Sequence, residues 1–184
     1  MLDDLGPYCL FGGLTLMAVG LLHWQFMPFG VFLFYSGFDL LGWKWIVHWT
    51  HTPDLWLAPP PSAKLAYRFL QHTVMIPILY LAWLQHPAAA LIPFILWMTG
   101  AADIFYHWIM NPTKEIEQAF GLLDWPGWKN GAKYLWNKIP KEFNYLYWTG
   151  PLGWVYFINK GIIPRSVMVS QALLGVALSV WLFV

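Results

Sequence analysis

Residues 167–184 read VMVSQALLGVALSVWLFV and contain no charged side chain. An apolar run of this length matches the roughly 17–25 residues that a helix needs to cross a hydrocarbon core of about 30 Å. Four further apolar runs precede it, at residues 9–27, 31–49, 63–85 and 88–110. Together the runs predict an all-α integral membrane protein, a bundle of about five transmembrane helices.

The overall composition favours a membrane protein. Of the 184 residues, 59% are hydrophobic, 20% aromatic and only 10% charged. A soluble domain carries about 25% charged residues, which coat its water-facing surface. Outside one aromatic-rich segment there is no basic stripe of the kind that binds nucleic acid. We therefore expect a single transmembrane domain, residues 1–184, that is surrounded by a lipid bilayer and has no nucleic-acid partner.

Proline and glycine separate the apolar runs. Pro28 and Gly30 predict a tight turn after the first run, and His86 with Pro87 predicts another after the third. The prolines within residues 51–62 exclude a continuous helix there, so this stretch is expected to be an exposed connection. The short turns predict that the first and second helices, and the third and fourth, form antiparallel hairpins.

The positions of the basic residues predict the orientation. With five crossings, the N-terminus, the connection at 50–62 and the segment 111–166 share one side of the membrane. All ten basic residues fall on or near that side: Lys44, Lys64, Arg68, Lys114, Lys129, Lys133, Lys138, Lys141, Lys160 and Arg165. The positive-inside rule then predicts a multi-pass protein of the inner (plasma) membrane, with its N-terminus in the cytoplasm and its C-terminus outside.

Segment 111–166 is too rich in Lys, Glu and Pro to be a further span. Asp124 and Pro126 predict the start of a helix and Pro140 predicts its end. Its apolar face would consist of Trp125, Trp128, Ala132, Leu135, Trp136 and Ile139, and its polar face of Lys129, Lys133 and Asn137. A basic helix with a Trp-rich face is typical of an amphipathic helix that lies in the membrane surface.

The predicted topology gathers polar residues of three helices at the cytoplasmic face. They are Lys44, His48 and His51 at the end of the second helix, Arg68 and His72 in the third, and Asp103 and His107 in the fourth. Within each helix they are spaced three or four residues apart, so they share a face. Asp39 lies deeper and points nearly opposite to His48 on an ideal helix.

These residue types suit a metal-dependent enzyme. Imidazole is a ligand for zinc, iron or copper, and carboxylate completes a mixed shell. The predicted ligands are His48, His51, His72, His107 and Asp103. As catalytic residues, Asp103 and His107 would exchange protons, while Arg68 and Lys44 would hold the anionic headgroup of a lipid or isoprenoid-like substrate.

A non-catalytic function explains the same residues equally well. Basic side chains near helix ends commonly extend to lipid phosphates, and Arg68 could pair with Asp103. The 14 tryptophans anchor and pack, or they stack on a planar ligand such as a haem, quinone or carotenoid. The alternative hypothesis is therefore a membrane subunit or binding module for a hydrophobic cofactor or a partner membrane protein, in a homo- or hetero-oligomer. The sequence leaves open whether the protein is an enzyme.

Overall fold

The computed structural model describes residues 5–50, 61–109, 125–143 and 162–184, with side chains described for 5–42, 69–108, 132–143 and 162–184. Over these residues the chain is mostly helical, as expected from the sequence. The elements are α1 (Gly6–Gly20), a 3-10 turn (Trp24–Phe26), α2 (Met27–Thr50), α3 (Pro61–Gln85), α4 (Pro87–Met98), α5 (Ala101–Ile109), α6 (Trp125–Lys138), β1 (Glu142–Phe143), β2 (Ile163–Pro164) and α7 (Arg165–Phe183).

The chain divides into two compact units, and each is described by itself. The hairpin unit comprises Gly6–Pro93, and the C-terminal unit is formed from Phe94 to Val184. The single domain expected for residues 1–184 stays a prediction.

The predicted five-span bundle is not supported by the helices as they fold. In the described part of the chain, α7 alone is long and apolar enough to cross a membrane. If the bent pair α4–α5 is counted as one broken span, this part of the chain has two such segments. Helix α1 has 15 residues, which rise only about 22 Å. Helices α2 and α3 are longer, but Asp39 in α2 and Gln71 in α3 are among the polar residues that dilute their apolar character.

Glycines allow α1 and α2 to pack with their backbones in close approach. Gly6, Gly13 and Gly20 are the buried residues of α1, one every seven positions. A Cβ atom at Gly30 of α2 would lie 2.6 Å from the backbone nitrogen of Met17, far inside van der Waals contact. The turn between the helices lies at residues 21–26, whereas it was predicted at 28–30. The prediction was wrong because Pro28 occupies the first turn of α2, where its missing N–H costs no hydrogen bond.

The fourth predicted helix is broken. Gly100 has φ +79°, a left-handed conformation that glycine adopts without strain, and α4 and α5 meet there at 74°. The β1–β2 ribbon, which the sequence did not predict, pairs Glu142 with Pro164 and Phe143 with Ile163. Phe143 and Ile163 anchor the ribbon in a hydrophobic core that it shares with α5 and α7. The other buried residues of this core are Ile104, Ile139, Met168 and Ala172.

Candidate functional site

Asp103 and His107, the predicted acid–base pair, both lie on α5. Asp103 is in the first turn of this helix and His107 in the last, one helical turn apart on the same face, as their spacing predicted. Both side chains are half-buried. Asp103 sits just after the Gly100 break, where a carboxylate interacts favourably with the free backbone N–H groups of a helix start.

Aromatic rings surround the imidazole of His107. The Phe143 ring is 5.8 Å away between centroids, at 64°, and the Tyr106 ring is 5.5 Å away, at 88°. Phe143 is fully buried in β1. The ribbon therefore positions a buried aromatic ring beside His107. This contact was not predicted, because no strand was expected at residues 142–143.

The other predicted site residues lie on other helices or outside the described residues. His72 is half-buried on α3 and belongs to the hairpin unit. Lys44 and His48 lie within α2 and Arg68 within α3, but their side chains are outside the described set, and His51 is outside the described residues altogether. The convergence of these residues stays a prediction.

The predicted metal site is not found within the described part of the chain. There, no group of three or more His, Cys, Asp or Glu side chains could hold a metal ion. The predicted ligand set includes His48 and His51, whose side chains lie outside the described set. A site built on His48, His51, His72, His107 and Asp103 therefore stays a prediction.

Asp39 has a partner in the structure that the sequence did not predict. The side-chain amide of Gln71, on α3, donates a hydrogen bond to Oδ1 of Asp39, on α2. The bond joins two helices of the hairpin unit and satisfies one acceptor of a half-buried carboxylate. A signal was present in the sequence, because Gln71 is a polar residue within an apolar run, next to His72.

A second polar–aromatic contact joins the two turns of the hairpin unit. The rings of Trp24 and His86 stack with 3.9 Å between centroids and 16° between planes. Nδ1 of His86 accepts a hydrogen bond of 3.2 Å from the backbone N–H of Ala88. His86, which with Pro87 predicted this turn, packs between the α1–α2 and α3–α4 turns.

The outward faces of the helices are apolar, while several buried positions are small or polar. On α7 the buried residues are Met168, Gln171, Ala172, Gly175 and Ser179. The exposed large residues of α7 include Leu173, Leu174, Val180 and Trp181, whose exposed fractions run from 55% to 75%. Helix α3 likewise exposes Phe69, Ile76, Tyr80, Leu81, Trp83 and Leu84. This is the reverse of the pattern expected for a water-soluble fold, in which large apolar side chains turn inward.

Comparisons with known proteins give no assignment: no family model, curated protein or solved structure matches this chain.

Proposed function

We propose that this chain is a non-catalytic integral membrane protein, a membrane subunit or binding module that works through the apolar faces of its helices. The observation that carries the proposal is the distribution of residues on α7. Gln171, Gly175 and Ser179 are buried, while Leu174 and Trp181 are exposed. In a bilayer this distribution is favourable, because lipid solvates large apolar side chains and helix contacts favour small or hydrogen-bonding ones.

Magnitudes support lipid rather than water as the surroundings of α7. Burying a large apolar side chain contributes about 1.5–3 kcal/mol. The exposed large residues of α7 are Leu173, Leu174, Val176, Leu178, Val180, Trp181 and Phe183. Their transfer to lipid, discounted for partial exposure, contributes on the order of 10 kcal/mol. That is as large as the whole stability of a typical domain, about 5–15 kcal/mol. Contact of this face with lipid instead of water is therefore strongly favoured.

The hairpin unit supports the same conclusion independently. Membrane helices associate mainly through close backbone approach at small residues, because lipid is as apolar as leucine and gives no hydrophobic drive. The α1–α2 contact is of this kind, with Gly13 of α1 and Gly30 and Gly37 of α2 at the interface. Away from it, Leu22 is 83% exposed and Phe11 is 66% exposed. We propose that this unit is also embedded in the bilayer, as the five-span hypothesis requires of α1–α3.

The metal-dependent enzyme is the second hypothesis, and its test is separate from that of membrane embedding. It depends on the convergence of His48, His51, His72, His107 and Asp103, and a measurement of bound metal decides it. As part of the proposed membrane integration, we also propose that the chain crosses the membrane several times with its N-terminus in the cytoplasm.

Extraction of isolated membranes with alkaline carbonate tests the proposed function. We expect the protein to stay in the sedimented membranes, and we expect detergent-solubilised protein to carry a partner membrane protein or a coloured cofactor. Release into the carbonate supernatant would contradict membrane integration. Retention without any co-purifying molecule, together with stoichiometric bound metal, would favour the enzyme instead.

A further inference from the structure

Basic side chains cluster where α6, the β ribbon and the start of α7 meet. Lys133 and Lys141 are exposed, and Lys138 and Arg165 are half-buried. Glu142, also exposed, is the acidic residue among the described residues of this junction, 132–143 and 162–166. With four cations and one carboxylate, the described residues of this junction carry a net positive charge. A negatively charged ligand would complement it.

Arg165 is held in place by the ribbon. Its Nε donates a 3.1 Å hydrogen bond to the carbonyl oxygen of Pro140, and its backbone N–H donates one of 2.9 Å to that of Lys141. The guanidinium lies 5.1 Å from the centroid of the Trp136 ring. A guanidinium has five N–H donors, so the bond from Nε leaves donors on its terminal nitrogens for a phosphate oxygen.

The helix that precedes the ribbon is fixed to the same unit. The indole Nε1 of Trp108, on α5, donates a 3.2 Å hydrogen bond to the carbonyl oxygen of Leu135. Ile139, which follows α6, is buried in the shared core. Trp136 nevertheless stays 46% exposed, so its ring stands at the surface beside the cations.

Arg165 is also the first residue of α7. If α7 crosses the membrane, as the proposed function states, the basic cluster lies where the apolar helix meets the headgroups. Exposed tryptophan and basic residues together are typical of that level of a membrane protein.

We propose that this junction is a binding surface for anionic phospholipid headgroups, formed by Lys133, Lys138, Lys141, Arg165 and the exposed ring of Trp136. The inference rests on the proposed membrane integration and adds a lipid class to it. The lysines attract the negative headgroup, the fixed guanidinium hydrogen-bonds its phosphate, and the indole contacts the glycerol and upper acyl region. A phospholipid is favoured over free phosphate because the cations border an apolar helix.

Spin-label electron paramagnetic resonance on the full-length protein in phosphatidylcholine vesicles tests this proposal. The measured quantity is the association of spin-labelled phosphatidylglycerol relative to spin-labelled phosphatidylcholine. We expect wild type to prefer phosphatidylglycerol, and Lys133→Gln and Lys141→Gln to lower that preference by up to about five-fold each. Glu142→Gln should raise it, and Asn137→Gln, a neutral change at an exposed position of α6, should leave it unchanged.

The outcomes separate this proposal from the proposed function. Protein that inserts into the vesicles but holds both lipids equally would overturn the headgroup surface alone. The headgroup surface would also be overturned if the lysine variants kept the same preference for phosphatidylglycerol as Asn137→Gln while circular dichroism showed their native helix content. Protein that fails to float with the vesicles would overturn membrane integration, and the headgroup surface with it.

Discussion

An arginine at the centre of α7 should prevent this helix from inserting into a membrane. Leu174 lies midway along Arg165–Phe183 and is 55% exposed. At the centre of a transmembrane helix, leucine contributes about −0.3 to −0.6 kcal/mol to insertion, whereas arginine costs about 2.5–3.5 kcal/mol. Leu174→Arg therefore disfavours insertion by about 3–4 kcal/mol, a shift of two to three orders of magnitude in the equilibrium.

The assay is translation of the full chain into microsomes with a glycosylation acceptor added after Val184. In wild type the predicted orientation places this acceptor outside the cytoplasm, so it should be glycosylated. Leu174→Arg should abolish the modification, while Leu174→Ala should preserve it. Ser166→Arg introduces the same charge at an exposed position in the first turn, near the membrane surface, and should also preserve it. Equal glycosylation of Leu174→Arg and Ser166→Arg would refute the assignment of α7 as a membrane-crossing helix.

Three further changes test the packing and the site. Gly13→Ala should lower the free energy of unfolding in detergent by about 1–3 kcal/mol, because its methyl group meets the α2 backbone. Gly12→Ala, which adds the same methyl into open space, is the control and should be neutral or stabilising by up to about 1 kcal/mol. Asp39→Leu should cost about 1–3 kcal/mol, because it leaves the Gln71 amide without this acceptor, and a melting shift no larger than that of Gly12→Ala would contradict the bond. For the enzyme hypothesis, mass spectrometry should find stoichiometric metal that is lost in His72→Ala, and a metal-free protein purified without chelators would reject it.

The positions of the helices could be predicted largely from the sequence. Apolar runs and proline breaks predicted helical segments over all five runs, and Pro126 and Pro140 bracketed α6 closely. Apolar runs and prolines are local signals, because they favour or interrupt a helix through the residues themselves and do not require tertiary contacts. The turn after α1 was misplaced because proline disrupts a helix interior but is compatible with a helix start, and spacing alone does not distinguish the two.

Features that depend on distant contacts could not be predicted. The break at Gly100 requires a positive φ, and one glycine inside an apolar run does not reveal it. The β1–β2 ribbon pairs residues about twenty positions apart, with too few residues in each strand to show an alternating pattern. The bond between Asp39 and Gln71 depends on how α2 meets α3. For the predicted His and Asp site, helical spacing correctly predicted that Asp103 and His107 share one face of a helix. Spacing within one helix does not give the distance from that helix to His72 on another.

The environment of α7 in reconstituted protein tests directly whether this helix lies in lipid. Nitroxide labels on single cysteines at Leu174, Val180, Gln171 and Ser179, in a Cys9→Ser background, report collisions with oxygen and with a water-soluble nickel chelate. Leu174 and Val180 are exposed, and Gln171 and Ser179 are buried. We expect labels at the two exposed positions to collide often with lipid-dissolved oxygen and rarely with the chelate, and labels at the two buried positions to collide rarely with both. Frequent chelate collisions at Leu174 and Val180 would place this face in water and contradict the insertion of α7 into lipid.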